Sequence, residues 1–146
     1  MNKLFFFLLL ISNFSFGQIL DPVSWDYSKR VLNENEIELH FTAKIDEGWY
    51  LYSQTLPEGA DAFPTTFSFI PDERYELIAS VIEPNPIEKF DPNFEMVLPY
   101  FKDEVKFIQK IKINSENSFE LNGEISFMTC DNSQCVFPPQ EIFSFK

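Results

Sequence analysis

Apolar and polar positions alternate with a period of two along most of this chain. In "EIELHFTAKI" (36–45), Ile37, Leu39, Phe41, Ala43 and Ile45 share one face, and Glu38, His40, Thr42 and Lys44 share the other. "EVKFIQKIKI" (104–113) aligns Val105, Phe107, Ile111 and Ile113, interrupted only by Gln109. "TTFSFI" (65–70), "YELIASVI" (75–82), "FELNGEISFMTC" (119–130) and "EIFSF" (141–145) read as further strands. Successive strand side chains point to opposite sides, so this pattern predicts sheets with one buried face. Turn formers separate the runs at Asp46-Glu47-Gly48, Pro57-Glu58-Gly59, Pro71-Asp72, Pro84-Asn85-Pro86 and Asn114-Ser115. No window carries the helical apolar repeat. Many short strands of this kind predict an all-β domain, an immunoglobulin-like β-sandwich.

One stretch breaks the pattern. "EPNPIEKFDPNFEMVLPYF" (83–101) holds Pro84, Pro86, Pro92 and Pro99 around Phe90 and Phe94. Proline cannot donate to a sheet ladder, so the stretch is expected to be a long loop or a sheet edge. A long loop bearing aromatics is suited to fold over a site as a lid.

The N-terminus sets the compartment. A short positive start, Met1-Asn2-Lys3, precedes the apolar "LFFFLLLI" and the more polar "SNFSFG", with small residues Ser15 and Gly17 before Gln18. That is the form of a cleavable secretory signal peptide over 1–17. The apolar run is too short for a bilayer, which takes about 20 residues. No cysteine follows it that could carry a lipid anchor. Residues 18–146 are therefore expected to be one exported domain, not inserted in the membrane, in a compartment where disulfides persist. With 23 acidic and 11 basic residues, the chain carries a formal charge of −12, which argues against nucleic acid or an anionic membrane as partner. The charge serves solubility, or an acidic docking face for a basic partner. The 18 phenylalanines, two tryptophans and five tyrosines supply a core that does not depend on a disulfide, even with the signal set aside.

The candidate chemistry lies in "ISFMTCDNSQCVFPPQ" (125–140), which holds both cysteines of the chain, Cys130 and Cys135. Structural zinc takes four Cys/His ligands, and the only histidine, His40, falls on the polar face of a strand; no metal site is expected. A lone histidine also leaves no hydrolase triad. A purely structural disulfide would add little, because a closed loop of about six residues gives only ~2 kcal/mol in the chain-entropy picture. A redox pair is the better fit. Two cysteines across a hairpin tip, Asp131-Asn132-Ser133-Gln134, can pair with little rearrangement and be reached by a partner thiol. Asp131 beside Cys130 is expected to disfavour the thiolate. The competing readings are a non-enzymatic secreted β-sandwich that binds a partner and keeps an inert disulfide, and an adhesion or carbohydrate-binding module using exposed Trp25 or Trp49.

These residues resemble a known family. "FMTCDNSQCVFPP", with "GWYLY" (48–52) upstream, is similar to the N-terminal periplasmic domain of the thiol:disulfide interchange protein DsbD, over about residues 25–145. The resemblance implies an immunoglobulin-like domain acting as a protein-disulfide reductase. Electrons would arrive from a membrane-linked thioredoxin-like module and pass to periplasmic thioredoxin-like partners, including disulfide isomerases and proteins of cytochrome c maturation. No cofactor is implied, since the dithiol itself carries two electrons. Carried over, Cys135 forms the mixed disulfide and Cys130 resolves it. Tyr50 and Tyr52 match the family's tyrosines beside the site, with sheet packing as their alternative role. Phe90 matches the aromatic of a mobile cap loop, with Asp91 and Phe94 as neighbours. The chain departs from the family in its four-residue Cys spacing, where five is expected. It also ends at Lys146, so the family's membrane segment and thioredoxin-like domain are expected on other polypeptides, or the domain has been reused.

Overall fold

A computed structural model describes residues 20–146; the expected signal peptide lies outside them. The described chain is all-β. Twelve strands follow in order: β1 (Val23–Val31), β2 (Glu36–Ile45), β3 (Tyr50–Tyr52), β4 (Thr66–Phe69), β5 (Tyr75–Ile82), β6 (Ile87–Asp91), β7 (Met96–Phe101), β8 (Glu104–Ile113), β9 (Leu121–Ser126), β10 (Thr129–Cys130), β11 (Cys135–Val136) and β12 (Glu141–Phe145). They form a four-stranded sheet β1-β2-β8-β5, a three-stranded sheet β12-β9-β4 and a five-stranded sheet β11-β10-β3-β7-β6. All pairings are antiparallel. This is the immunoglobulin-like β-sandwich that the alternation predicts. Among the described residues, no helix is long and apolar enough to cross a membrane.

The main core lies between the four-stranded and three-stranded sheets. Leu39, Phe41 and Ala43 of β2 and Val105, Phe107 and Ile111 of β8 meet Leu121 and Ile125 of β9 and Phe143 and Phe145 of β12. Phe41 touches five aromatic rings, with Phe143 edge-on at 4.8 Å and Phe67 at 5.1 Å. Gly123 sits under Phe143, where an added Cβ would lie 2.3 Å from the ring and 2.3 Å from the Ser68 carbonyl. Only glycine allows that approach. Trp25 and Trp49 are half-buried against this core, so neither is the exposed platform that a carbohydrate-binding module requires.

Three differences from the sequence reading have physical causes. Gln109, which interrupts the apolar face of β8, is fully buried and reaches the carbonyls of Ile78, Ala79 and Lys110 at 3.2, 3.3 and 2.7 Å. The β5–β8 register shifts between Ile78 and Ile82, and Ala79 has φ of 57°. The polar side chain thus serves carbonyls that the bulge removes from the ladder. The strand expected over 119–130 divides at Phe127-Met128. Phe127 enters the main core and Met128 a second, smaller one, as the chain crosses between sheets.

The stretch 83–101 is a hairpin of β6 and β7, not a long loop; its alternative reading as an edge holds, since β6 is an edge strand. Pro99 is tolerated inside β7 because its carbonyl still accepts from Ser53 N–H at 3.1 Å. The Ser53 carbonyl, which a ladder donor would have served, takes Thr65 N–H at 3.3 Å.

Candidate functional site

The smaller core positions the cysteines. Tyr50, Tyr52, Ala62, Leu98, Met128 and Cys130 are buried together, with Leu56, Ala60, Phe94, Met96, Tyr100 and Cys135 packed around them. Cys130 on β10 and Cys135 on β11 face each other in register and are joined as a disulfide, with Cα atoms 4.1 Å apart. Asp131 builds the tip between them. Its N–H donates to the Gln134 carbonyl at 2.9 Å, and its Oδ1 accepts from Ser133 N–H (2.7 Å), Ser133 Oγ (2.9 Å) and Gln134 N–H (2.8 Å). Those donors, led by the Ser133 backbone N–H, hold the Asp131 carboxyl below its ordinary range. Asp131 therefore serves the turn as well as adding charge beside Cys130.

The two cysteines differ in exposure. Cys130 is 0% exposed, whereas Cys135 is half-buried. On the inner side, Tyr52 Oη lies 3.3 Å from Cys130 Sγ and donates to Asp91 Oδ2 at 2.6 Å. Asp91 is only 2% exposed, and its other oxygen accepts Asn93 N–H at 2.8 Å. Burial, and then the bond to Asp91, push the Tyr52 hydroxyl well above the ordinary tyrosine range. Tyr50 is pushed up to about 12, chiefly by burial and then by the Asp91 charge. Both phenols are therefore neutral donors at physiological pH. Tyr50 Oη donates to the Asp131 carbonyl at 3.0 Å, and Asn93 Nδ2 donates to the same oxygen at 2.8 Å. The chain just after Cys130 is thus clamped from β3 and from the β6–β7 turn.

Cys130, Cys135, Tyr50, Tyr52, Asp91 and Phe94 come together here. The tyrosines both pack the sheet, with rings 5.7 Å apart, and direct hydroxyls to the site. Phe94 stands edge-on to Tyr52 at 5.9 Å and packs on the cysteine cluster. Phe90 lies on the outer strand of the hairpin, paired with Val97 and 57% exposed; it borders a small recess with Tyr50 and Asn132. Sequence reasoning missed Asn93. Its signal was present in "DPN", where an aspartate accepts the N–H two residues on and forms an Asx turn. His40 is half-buried beside Glu38 at 3.1 Å. Among the described residues, no group of three or more His, Cys, Asp or Glu could hold a metal ion.

Residues 19–146 match the family "Thiol:disulfide interchange protein DsbD, N-terminal". The chain belongs to the DsbD N-terminal family. These are thiol–disulfide exchange domains, and Cys130–Cys135 is the disulfide this member carries. The fold agrees with that of solved structures. The N-terminal periplasmic domain of ScsB from Proteus mirabilis is 18% identical, with a TM-score of 0.57 over 84% of this chain and 43% of that one. The DsbD N-terminal domain of Neisseria meningitidis, solved in complex with the PilB N-terminal domain, is 12% identical, with a TM-score of 0.54 over 87% of each chain. No curated protein matches the sequence.

Proposed function

We propose that this DsbD N-terminal domain is a periplasmic electron relay, exported by its signal peptide, which takes two electrons from a membrane-linked thiol donor and reduces thioredoxin-like partners. Disulfide isomerases and proteins of cytochrome c maturation are the client classes. The observation that carries this reading is the unequal exposure of the two cysteines. A thiolate attacks sulfur in line and needs access to it, so Cys135 is the atom a visiting protein meets.

In the loading step, a donor thiolate attacks Cys135 Sγ. The donor–Cys135 bond forms, the Cys130–Cys135 bond breaks, and its electron pair leaves on Cys130. A second donor thiolate then attacks the donor's own sulfur and releases Cys135. The donor becomes a disulfide and this domain a dithiol, with the donor's two protons completing the thiols. Delivery runs the same steps in the other direction: Cys135 attacks a client disulfide and Cys130 resolves the mixed species. Tyr52 Oη is close enough to turn its hydrogen from Asp91 toward a Cys130 thiolate, which supports a role in stabilising the leaving group. Phe94, together with the 92–95 turn, shelters the inner sulfur from stray thiols. Phe90, the residue matched by resemblance to the cap, is exposed at the rim of the site, where a partner would meet it.

The test is a Cys130→Ser variant expressed in the native host, which leaves Cys135 unable to be resolved. A covalently attached thioredoxin-fold protein is the expected result. An empty trap, together with a reduction potential below about −300 mV, would assign the bond to the structural class and favour the inert binding module.

A further inference from the structure

Three phenylalanines are exposed among the described residues, Phe63, Phe90 and Phe137, and all three lie in segments that surround the disulfide. Phe63 and Phe137 form a pair, with ring centroids 6.1 Å apart and nearly perpendicular planes, although they come from distant parts of the chain. Phe137 is 65% exposed and follows Cys135 by two residues. Phe63 is 41% exposed and follows Ala62, which is buried in the cysteine cluster. Both precede a proline, Pro64 and Pro138. A residue before proline is confined to extended backbone, so the backbone that carries each ring has little freedom left to lose on binding.

We infer that Phe63 and Phe137 form a preorganised apolar ledge beside Cys135, on which the apolar surface around the redox cysteine of a thioredoxin-fold partner docks. This deepens the relay reading and rests on it. Aromatic anchors fixed beside a reactive atom are the usual carriers of interface energy. The surrounding charge selects the partner further. Residues 53–65 carry Glu58 and Asp61, residues 131–140 carry Asp131, and neither stretch contains a lysine or arginine. The complementary partner surface is apolar at the centre and neutral or basic at the rim. A ledge of this kind raises the rate with a protein reductant while leaving a small dithiol indifferent, because dithiothreitol needs only the sulfur.

The experiment measures second-order reduction of the oxidised domain by reduced thioredoxin and by dithiothreitol. The proteins are wild type, Phe63→Ala, Phe137→Ala, Phe137→Leu and, as an exposed apolar control elsewhere, Ile142→Ala. The alanine variants should each slow the thioredoxin reaction at least about tenfold. Their dithiothreitol rates should stay within about twofold of wild type, Phe137→Leu should recover part of the loss, and Ile142→Ala should match wild type. Equal thioredoxin rates for wild type and both alanine variants would overturn the ledge while leaving the relay intact. A wild-type domain that dithiothreitol reduces but thioredoxin does not would overturn the relay itself. A parallel fall in both rates would mean that the rings only support the fold, and would also overturn the ledge.

Discussion

At the residue scale, the two phenylalanines of the β6–β7 hairpin are placed differently about the disulfide. Phe94 packs on the cysteine cluster and meets Tyr52 edge-on, whereas Phe90 is mostly in solvent. Removing the Phe94 ring opens a route to the inner sulfur; removing Phe90 changes only the rim. Phe94→Ala should therefore speed reduction by dithiothreitol severalfold and Phe90→Ala by much less, as followed by thiol release under pseudo-first-order conditions. A larger effect at Phe90 would return the cap to the residue that the family resemblance names. The residues of this site were only partly legible in the sequence. Cys130, Cys135, Tyr50 and Tyr52 stand in recognisable local patterns. Asp91 stands out there only as a neighbour of Phe90, and Asn93 only as the end of an Asx turn. Their roles depend on contacts with Tyr52 and Tyr50 across 39 and 43 residues of chain, which no local pattern records.

At the element scale, alternation is a reliable guide where a strand has one buried and one wet face. Strands β2, β8 and β12 end where the pattern ends, at 36–45, 104–113 and 141–145. Strand β1 was also legible, with Val23, Trp25 and Tyr27 alternating with Ser24, Asp26 and Ser28, yet it was not among the expected strands. The prolines of 83–101 hid a hairpin because their missing donors are accommodated by partners from other parts of the chain, as at Pro99. Gln109 is the counterpart inside a well-read strand: a buried polar residue that makes sense only once the β5 bulge is known. Gln109→Leu keeps the volume but leaves the Ile78 and Ala79 carbonyls without their donor. The expected cost is about 1–3 kcal/mol, read as a lower urea midpoint with an unchanged slope. A neutral result would mean that water or backbone movement serves those carbonyls instead.

At the scale of the whole molecule, the disulfide and the fold are separable. The main core, built around Phe41, Phe107 and Phe143 between two sheets, contains neither cysteine. The bridge closes a sequence separation of only 5, so its loss should cost about 2 kcal/mol. A Cys130→Ser/Cys135→Ser double variant should stay cooperatively folded, with Tm lowered by no more than about 10 °C in a calorimetric scan. Loss of the cooperative transition would make the bond a structural necessity. That independence suits an exchange domain, which has to keep its shape in both redox states.

Alternation, the cysteine pair and the turn residues are properties of neighbours along the chain, so the sequence by itself determined an all-β domain and the atoms of its chemistry. Which cysteine is the more exposed, which carboxylate stands behind Tyr52, and which two phenylalanines meet beside Cys135 are relations between segments far apart in sequence. Only the tertiary structure decided them, because burial and contact depend on how the sheets stack, and many stackings share the same local pattern.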